Sequence, residues 1–137
     1  MRSIQKAKYA TTRLARDGTH ELGMIGEAVF GRLVGQPLNA ELLVDGDQKV
    51  DFIVSGVRFD VKTTAYFDEP WLRVTPEDLE KSDAFALVAV DENLRRARYC
   101  GYATAETVRR ARTRKMSKAM PESHQLGESD LVADLPT

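Results

Sequence analysis

Hydrophobic positions along this chain change period twice. From His20 to Val34, Leu22, Ile25, Val29 and Leu33 recur at spacings of 3, 4 and 4, which predicts a helix with one apolar stripe. Gly35-Gln36-Pro37 ends it. Asn39–Val44 then reads as a short strand, and Asp45-Gly46-Asp47 is turn chemistry. Lys49–Val54 and Val57–Thr63 alternate apolar and polar residues on either side of Ser55-Gly56, the spacing of a tight β-hairpin. Trp71–Val74 is a further short strand. Thr75-Pro76-Glu77-Asp78 starts a short helix, with Thr as cap, Pro at the first position and acids in the first turn; it ends near Ser82. Ala84–Val90 is continuously apolar, as a strand buried on both faces is. Arg98–Ala103 forms another strand, and Thr104 caps a helix expected to run to about Met116. The class is α/β, with an arm or helix over residues 1–19, one domain over 20–116 and an acidic tail over 117–137.

Composition narrows the class. A chain of 137 residues with 42% apolar positions fits one compact domain. No apolar run approaches the ~20 residues a membrane span requires, and the polar start of the chain argues against a secretory signal. One cysteine, Cys100, leaves no internal disulfide or thiolate metal cluster. Two histidines, His20 and His124, make a multi-histidine zinc site hard to assemble. A reducing, cytoplasmic setting is expected.

The net charge of −1 conceals a strong asymmetry. Residues 95–118 carry nine basic side chains against Glu106 alone, whereas residues 21–94 carry fifteen acids against six bases. Arg109, Arg110, Arg112, Arg114 and Lys115 thus form a local basic stretch, which serves either as a solvated face or as a grip on a polyanion.

The hairpin concentrates the chemistry. Val50, Phe52, Val54, Val57, Phe59 and Val61 share one face and must turn to the core, which fixes the register, because a slip of one residue would bury every charge. The other face carries Lys49, Asp51, Ile53, Arg58, Asp60 and Lys62. Counted outward from the two-residue turn, Asp51 lies directly across from Asp60, where opposed Cβ atoms are ~4.5–5.5 Å apart. Like charges so placed need something positive between them. Lys49, Arg58 and Lys62 on a wet face are one answer. A hard divalent cation such as Mg²⁺, which accepts one or two carboxylates and keeps room for a phosphate, is the other.

These residues resemble the PD-(D/E)xK nuclease superfamily. Asp51 followed by Asp60-Val61-Lys62 looks like its D…(D/E)xK signature, and Gly23-Met24-Ile25-Gly26-Glu27 is similar to the GhxxE helix motif of its RecB-like and resolvase-like branches. The order of elements over residues 20–105 is similar to the superfamily's restriction-endonuclease-like αβββαβ core, a mixed central sheet flanked by helices. Val50 stands where the motif's Pro would be, and no QxxxY motif follows, so the resemblance is to the stand-alone, Holliday-junction-resolvase-like members. It implies a metal-dependent endonuclease or junction nuclease acting on duplex or branched DNA. By resemblance, Asp51, Asp60 and the Val61 carbonyl would hold Mg²⁺, with Mn²⁺ able to substitute. Lys62 would orient the attacking water, and Glu27 would add an acid from the helix. Glu21 is the rival acid, about 120° around the helix from Glu27.

Further expectations are bland. Thr63 and Thr64 suit a strand. Trp71 and Tyr66 are expected to pack in the core rather than stack on a base, His124 to be inert and Cys100 to be buried. A homodimer would match two-fold DNA substrates. The alternative to an enzyme is a non-catalytic nucleic-acid- or protein-binding module on the same fold.

Overall fold

The computed structural model describes residues 19–36, 52–93, 95–115 and 117–136. The expected arm over 1–19 (Thr19 excepted), the strand over 39–44, and Lys49, Val50 and Asp51 lie outside the described residues.

Helix α1 spans Thr19–Leu33 and closes as the glycine predicts. Gly35 adopts φ 76°, which places its N–H on the Arg32 carbonyl and the Gln36 N–H on the Gly31 carbonyl (3.3 and 2.7 Å), the two bonds of a Schellman ending. The buried face of α1 differs from the expected stripe. Ile25 and Phe30 are fully buried, whereas Leu33, at the helix end, is half exposed.

Strands β1 (Phe52–Val54) and β2 (Val57–Thr64) form the hairpin. Phe52 pairs with Phe59 and Val54 with Val57, the register expected from the apolar face. Ser55 and Gly56 both take positive φ, 51° and 80°, as the type I′ turn that matches strand twist requires. β3 is Trp71–Val74 and α2 is Pro76–Leu79. Thr75 caps α2, its Oγ1 accepting from the Asp78 N–H at 3.2 Å.

β4 (Ala84–Asp91) is buried from Ala84 to Val90, and β5 (Arg96–Thr104) follows it. The main sheet is ordered β1-β2-β4-β5. β2 and β4 run parallel, while β4 and β5 are antiparallel. This is a mixed sheet, and its central strand is the one whose sequence is apolar on both faces.

α3, from Ala105 to Arg110, is capped by Thr104 but stops well short of Met116. Ala111 is already extended, and the Arg112 carbonyl accepts from the Gln125 N–H at 3.1 Å. The chain then pairs as β6 (Thr113–Arg114) with β7 (Ser123–Gly127). β7 also pairs with β3, giving a second sheet ordered β3-β7-β6. The acidic tail is therefore not an appendage: it supplies the middle strand of that sheet, and Val132 bridges to Tyr102.

Two clusters fill the two sides of the main sheet. On one side α1 packs Ile25 and Phe30 against Phe59, Val61, Ala86 and Val88. On the other, Leu72 and Val74 of β3, Leu79 of α2 and Val108 of α3 pack on Phe85, Leu87 and Ala89. Among the described residues no helix is long and apolar enough to cross a membrane.

Candidate active site

Strand alternation decides what meets what around β2. Phe59, Val61 and Thr63 face α1, so Arg58, Asp60, Lys62 and Thr64 face the layer of α2, α3 and the second sheet. Asp60 is 4% exposed, a depth at which a carboxylate requires a charged or hydrogen-bonding partner. The face is not wet at Asp60, although Lys62, one of the three bases expected to neutralise it, does pair with it. The Lys62 ammonium, two residues further along, lies 3.2 Å from Asp60 Oδ2.

Lys62 has a second carboxylate that the sequence reading missed. Its Nζ donates to Asp78 Oδ2 at 2.7 Å, and the two side chains are each about one-fifth exposed. Asp78 reaches this place because Pro76 and the Thr75 cap fix the first turn of α2, while Leu79 anchors the helix in the core at 4% exposure. The available signal was the capping sequence itself, since the third residue of a capped turn projects from a fixed backbone. Two carboxylates around one ammonium carry one formal negative charge.

The approach of α1 to β2 is close beside the site. A Cβ built on Gly26 would stand 1.9 Å from Thr63 Oγ1, so only glycine lets the helix lie here. The packing role thus falls to Gly26, an interior position of the GMIGE segment, whereas a Cβ on the leading Gly23 would meet nothing within 4 Å. Glu27 follows Gly26 and is half-buried, but its helix covers the face opposite Asp60 and Lys62. The side chain of Glu21 lies outside the described residues. Val61 turns its side chain into the α1 core at 7% exposure. Asp51 also lies outside the described residues, while its neighbour Phe52 holds the register that sets Asp51 across from Asp60 in the sequence reading.

At the turn end of the same face, Arg58 is braced by Asp83. The Arg58 N–H donates to Asp83 Oδ2 at 3.0 Å, and the Asp83 N–H to the Arg58 carbonyl at 2.9 Å. A groove of about 360 Å³ runs between the hairpin and the end of α2, lined by Ile53, Arg58, Lys81 and Asp83.

The basic stretch divides. Arg109 and Arg110 end α3, whereas Arg112, Arg114 and Lys115 follow it, partly in β6; all five are exposed. Arg110 pairs with Glu106 at 2.7 Å. α3 packs beside α2, in the layer that covers Asp60 and Lys62. Arg96 and Arg98 are occupied elsewhere. Both guanidinium groups lie over the Phe67 ring, at 4.2 and 5.1 Å from its centroid. Arg98 also forks onto the Glu128 carboxylate and donates to the Phe67 carbonyl at 2.8 Å. The Arg98 hydrogen bond holds the Glu128 carboxyl below the usual range, and Arg98 is raised in turn.

Other expectations resolve individually. Tyr66 and Trp71 are 63% and 43% exposed, not core residues. They are kept outward by the loop that follows β2 and by the outer edge of the second sheet. Their groove, of about 670 Å³, also exposes Asp68, Glu69 and Arg73. His124 is structural, its Nδ1 3.0 Å from the Ala111 carbonyl oxygen. Cys100 is a buried free thiol whose pKa burial pushes up.

Among the described residues no group of three or more His, Cys, Asp or Glu side chains is arranged to hold a metal ion. The described carboxylates there are Asp60 and Asp78, both paired with the Lys62 ammonium. No family model, curated protein or solved structure matches the chain. What stands without further assumption is a mixed α/β protein with an Asp60–Lys62–Asp78 constellation, buried at Asp60 and part-buried at the other two, on one face of its main sheet.

Proposed function

We propose that this protein is a Mg²⁺-dependent nuclease that hydrolyses DNA phosphodiester bonds, built on a restriction-endonuclease-like core. One observation carries the reading. Asp60 is buried, and Lys62 lies beside it on a strand whose hairpin register is the one the D…DxK pattern needs. Order and direction of the elements support it: a helix, a hairpin bearing the motif, a strand parallel to the motif strand reached through a helix, and a further strand. The donor chemistry fits a hard cation, since hard carboxylate oxygens and backbone carbonyls suit Mg²⁺. Asp60 and Asp51 would hold it with the Val61 carbonyl. When bound, the ion lowers the pKa of water and neutralises charge on the phosphate.

The chain's own residues do the rest. Lys62 holds an ammonium at the phosphate, where it orients the attacking water and offsets negative charge developing in the transition state. Burial of Asp60 keeps that carboxylate in one position. Arg109, Arg112, Arg114 and Lys115 grip backbone phosphates without choosing sequence.

The test is cleavage of plasmid and branched DNA in Mg²⁺ or Mn²⁺, with chelator as control. Asp60→Asn and Lys62→Ala should each abolish cleavage while leaving the circular dichroism of the fold unchanged. Full activity in both variants would refute the assignment. The second reading, a non-catalytic binding module, draws on the mutual satisfaction of Lys62, Asp60 and Asp78, which explains the cluster without any reaction. It requires that Mn²⁺ calorimetry give no heat on wild type; binding that Asp51→Asn abolishes excludes it.

A further inference from the structure

The geometry points to Asp78 as a positioning residue for Lys62, an inference that rests on the nuclease reading above. Lys62 Nζ lies nearer to Asp78 Oδ2, at 2.7 Å, than to Asp60 Oδ2, at 3.2 Å. The two carboxylates come from different elements, β2 and α2. Where the ammonium stands is therefore set by how α2 docks on the sheet, not by the strand alone.

Asp60 has two duties in the proposed site. It must face a divalent cation, and it is also one of the two anchors of Lys62. A cation drawn to Asp60 repels the ammonium and weakens that anchor. Asp78 is the anchor that remains. Pulled toward α2, Lys62 stays clear of the metal side of Asp60 and keeps a fixed direction toward a phosphate. Without the Asp78 charge, Asp60 is the one carboxylate among the described residues left to the ammonium, and there it would compete with a bound metal.

Asp78 is suited to this role because its backbone place does not depend on its carboxylate. The Thr75 Oγ1 bond that starts α2 goes to the Asp78 N–H, and Leu79 supplies the buried anchor. Lys81 approaches the other oxygen of Asp78 only at 3.9 Å and is mostly exposed, so Lys62, at 2.7 Å, is the closer of the two ammonium groups.

Asp78→Asn keeps size and cap and removes the charge. Measured at single turnover with enzyme in excess, its cleavage rate at saturating DNA should fall roughly 10–100-fold, the cost of a misplaced catalytic group. The apparent Kd for DNA should stay at the wild-type value, and the Mn²⁺ concentration for half-maximal rate should rise. Asp78→Glu should regain most of the rate. Lys62→Ala leaves no rate to compare, so the coupling is read in stability: Asp78→Asn should cost less melting temperature in a Lys62→Ala background than in wild type, because the pair acts as one unit. A merely structural role would lower the melting temperature of Asp78→Asn without raising its Mn²⁺ requirement, and Asp78→Glu would not restore the rate. An Asp78→Asn enzyme as fast as an active wild type overturns this inference alone, as does an unchanged Mn²⁺ requirement. A wild type that never cleaves DNA overturns the nuclease reading and this inference with it.

Discussion

Gly26→Ala is the sharpest probe of how the site is held, because two opposing terms of known size meet there. Alanine in a helix interior is favoured over glycine by about 1 kcal/mol. Against this, the new Cβ would lie 1.9 Å from Thr63 Oγ1, 3.1 Å from Thr63 Cβ and 3.2 Å from Cγ2. The first contact is impossible without movement. Turning χ1 of Thr63 relieves it but leaves the Cβ contact, and a β-branched residue in a strand has few rotamers to choose from. Overpacking of this kind costs about 1–3 kcal/mol, so the net change should be a destabilisation of up to about 2 kcal/mol. The cycle with Thr63→Ala makes the argument specific. Thr63 Oγ1 is buried with no hydrogen-bond partner among the described residues. Its removal therefore offsets the roughly 0.8 kcal/mol of a lost methyl group, and the single variant should be near neutral. In that background only the 3.1 Å contact remains, and Gly26→Ala should become neutral or mildly stabilising. A coupling of about 1–3 kcal/mol between the two positions is expected, read from urea unfolding by circular dichroism with unchanged m-values. Equal effects of Gly26→Ala in both backgrounds would show that α1 does not approach β2 in this way.

Two further outcomes follow from the charges. Burial raises the pKa of the Tyr99 hydroxyl, which has no hydrogen-bond partner among the described residues, and of the Cys100 thiol above their ordinary values of 10.0 and 9.0. Folding thus favours the neutral form of both, so their contribution to stability is fully present below about pH 9 and is lost as pH rises through the raised values. Urea midpoints should hold to about pH 9 and fall above it, less steeply in Tyr99→Phe; an identical fall in that variant would exclude Tyr99 as a cause. For the basic stretch, Arg112→Ala with Arg114→Ala should weaken DNA binding alike for all sequences and reduce the slope of log K against log salt by about 2. An unchanged slope would place the phosphate contacts elsewhere.

The main sheet was legible because its signals are local and agree with one another. The hairpin register follows from one apolar face and a two-residue turn, and the central strand from seven successive buried residues. Thr75 and Thr104 cap as their sequences imply. The second sheet was not legible, and the reason is physical. β3 has four residues and β6 two, while Ser-His-Gln-Leu-Gly in β7 has no alternation to read. Those strands exist because β3 and β7 meet across some fifty residues of chain, where Trp71 pairs with Gly127. The same long-range pairing stops α3 early, since Gln125 binds the Arg112 carbonyl and draws the chain into an edge strand.

The site divides along the same line between local and distant causes. Asp60 and Lys62 on one strand face follow from period two alone. Asp78 could be placed only once α2 was known to dock on that face, although its cap was plain from the sequence. Charge counting misled where partners are remote. Arg98 belongs by composition to the basic stretch, yet Glu128, thirty residues on, takes its guanidinium, and Phe67 takes its face. Arg109, Arg112, Arg114 and Lys115 remain exposed at the end of α3 and in β6 and the residue after it, and α3 packs beside α2, the helix that carries Asp78. On the proposed nuclease reading, the docking of α2 and α3 on β4, through Leu79, Val108 and Phe85, would be as much a condition for cleavage as the carboxylates themselves.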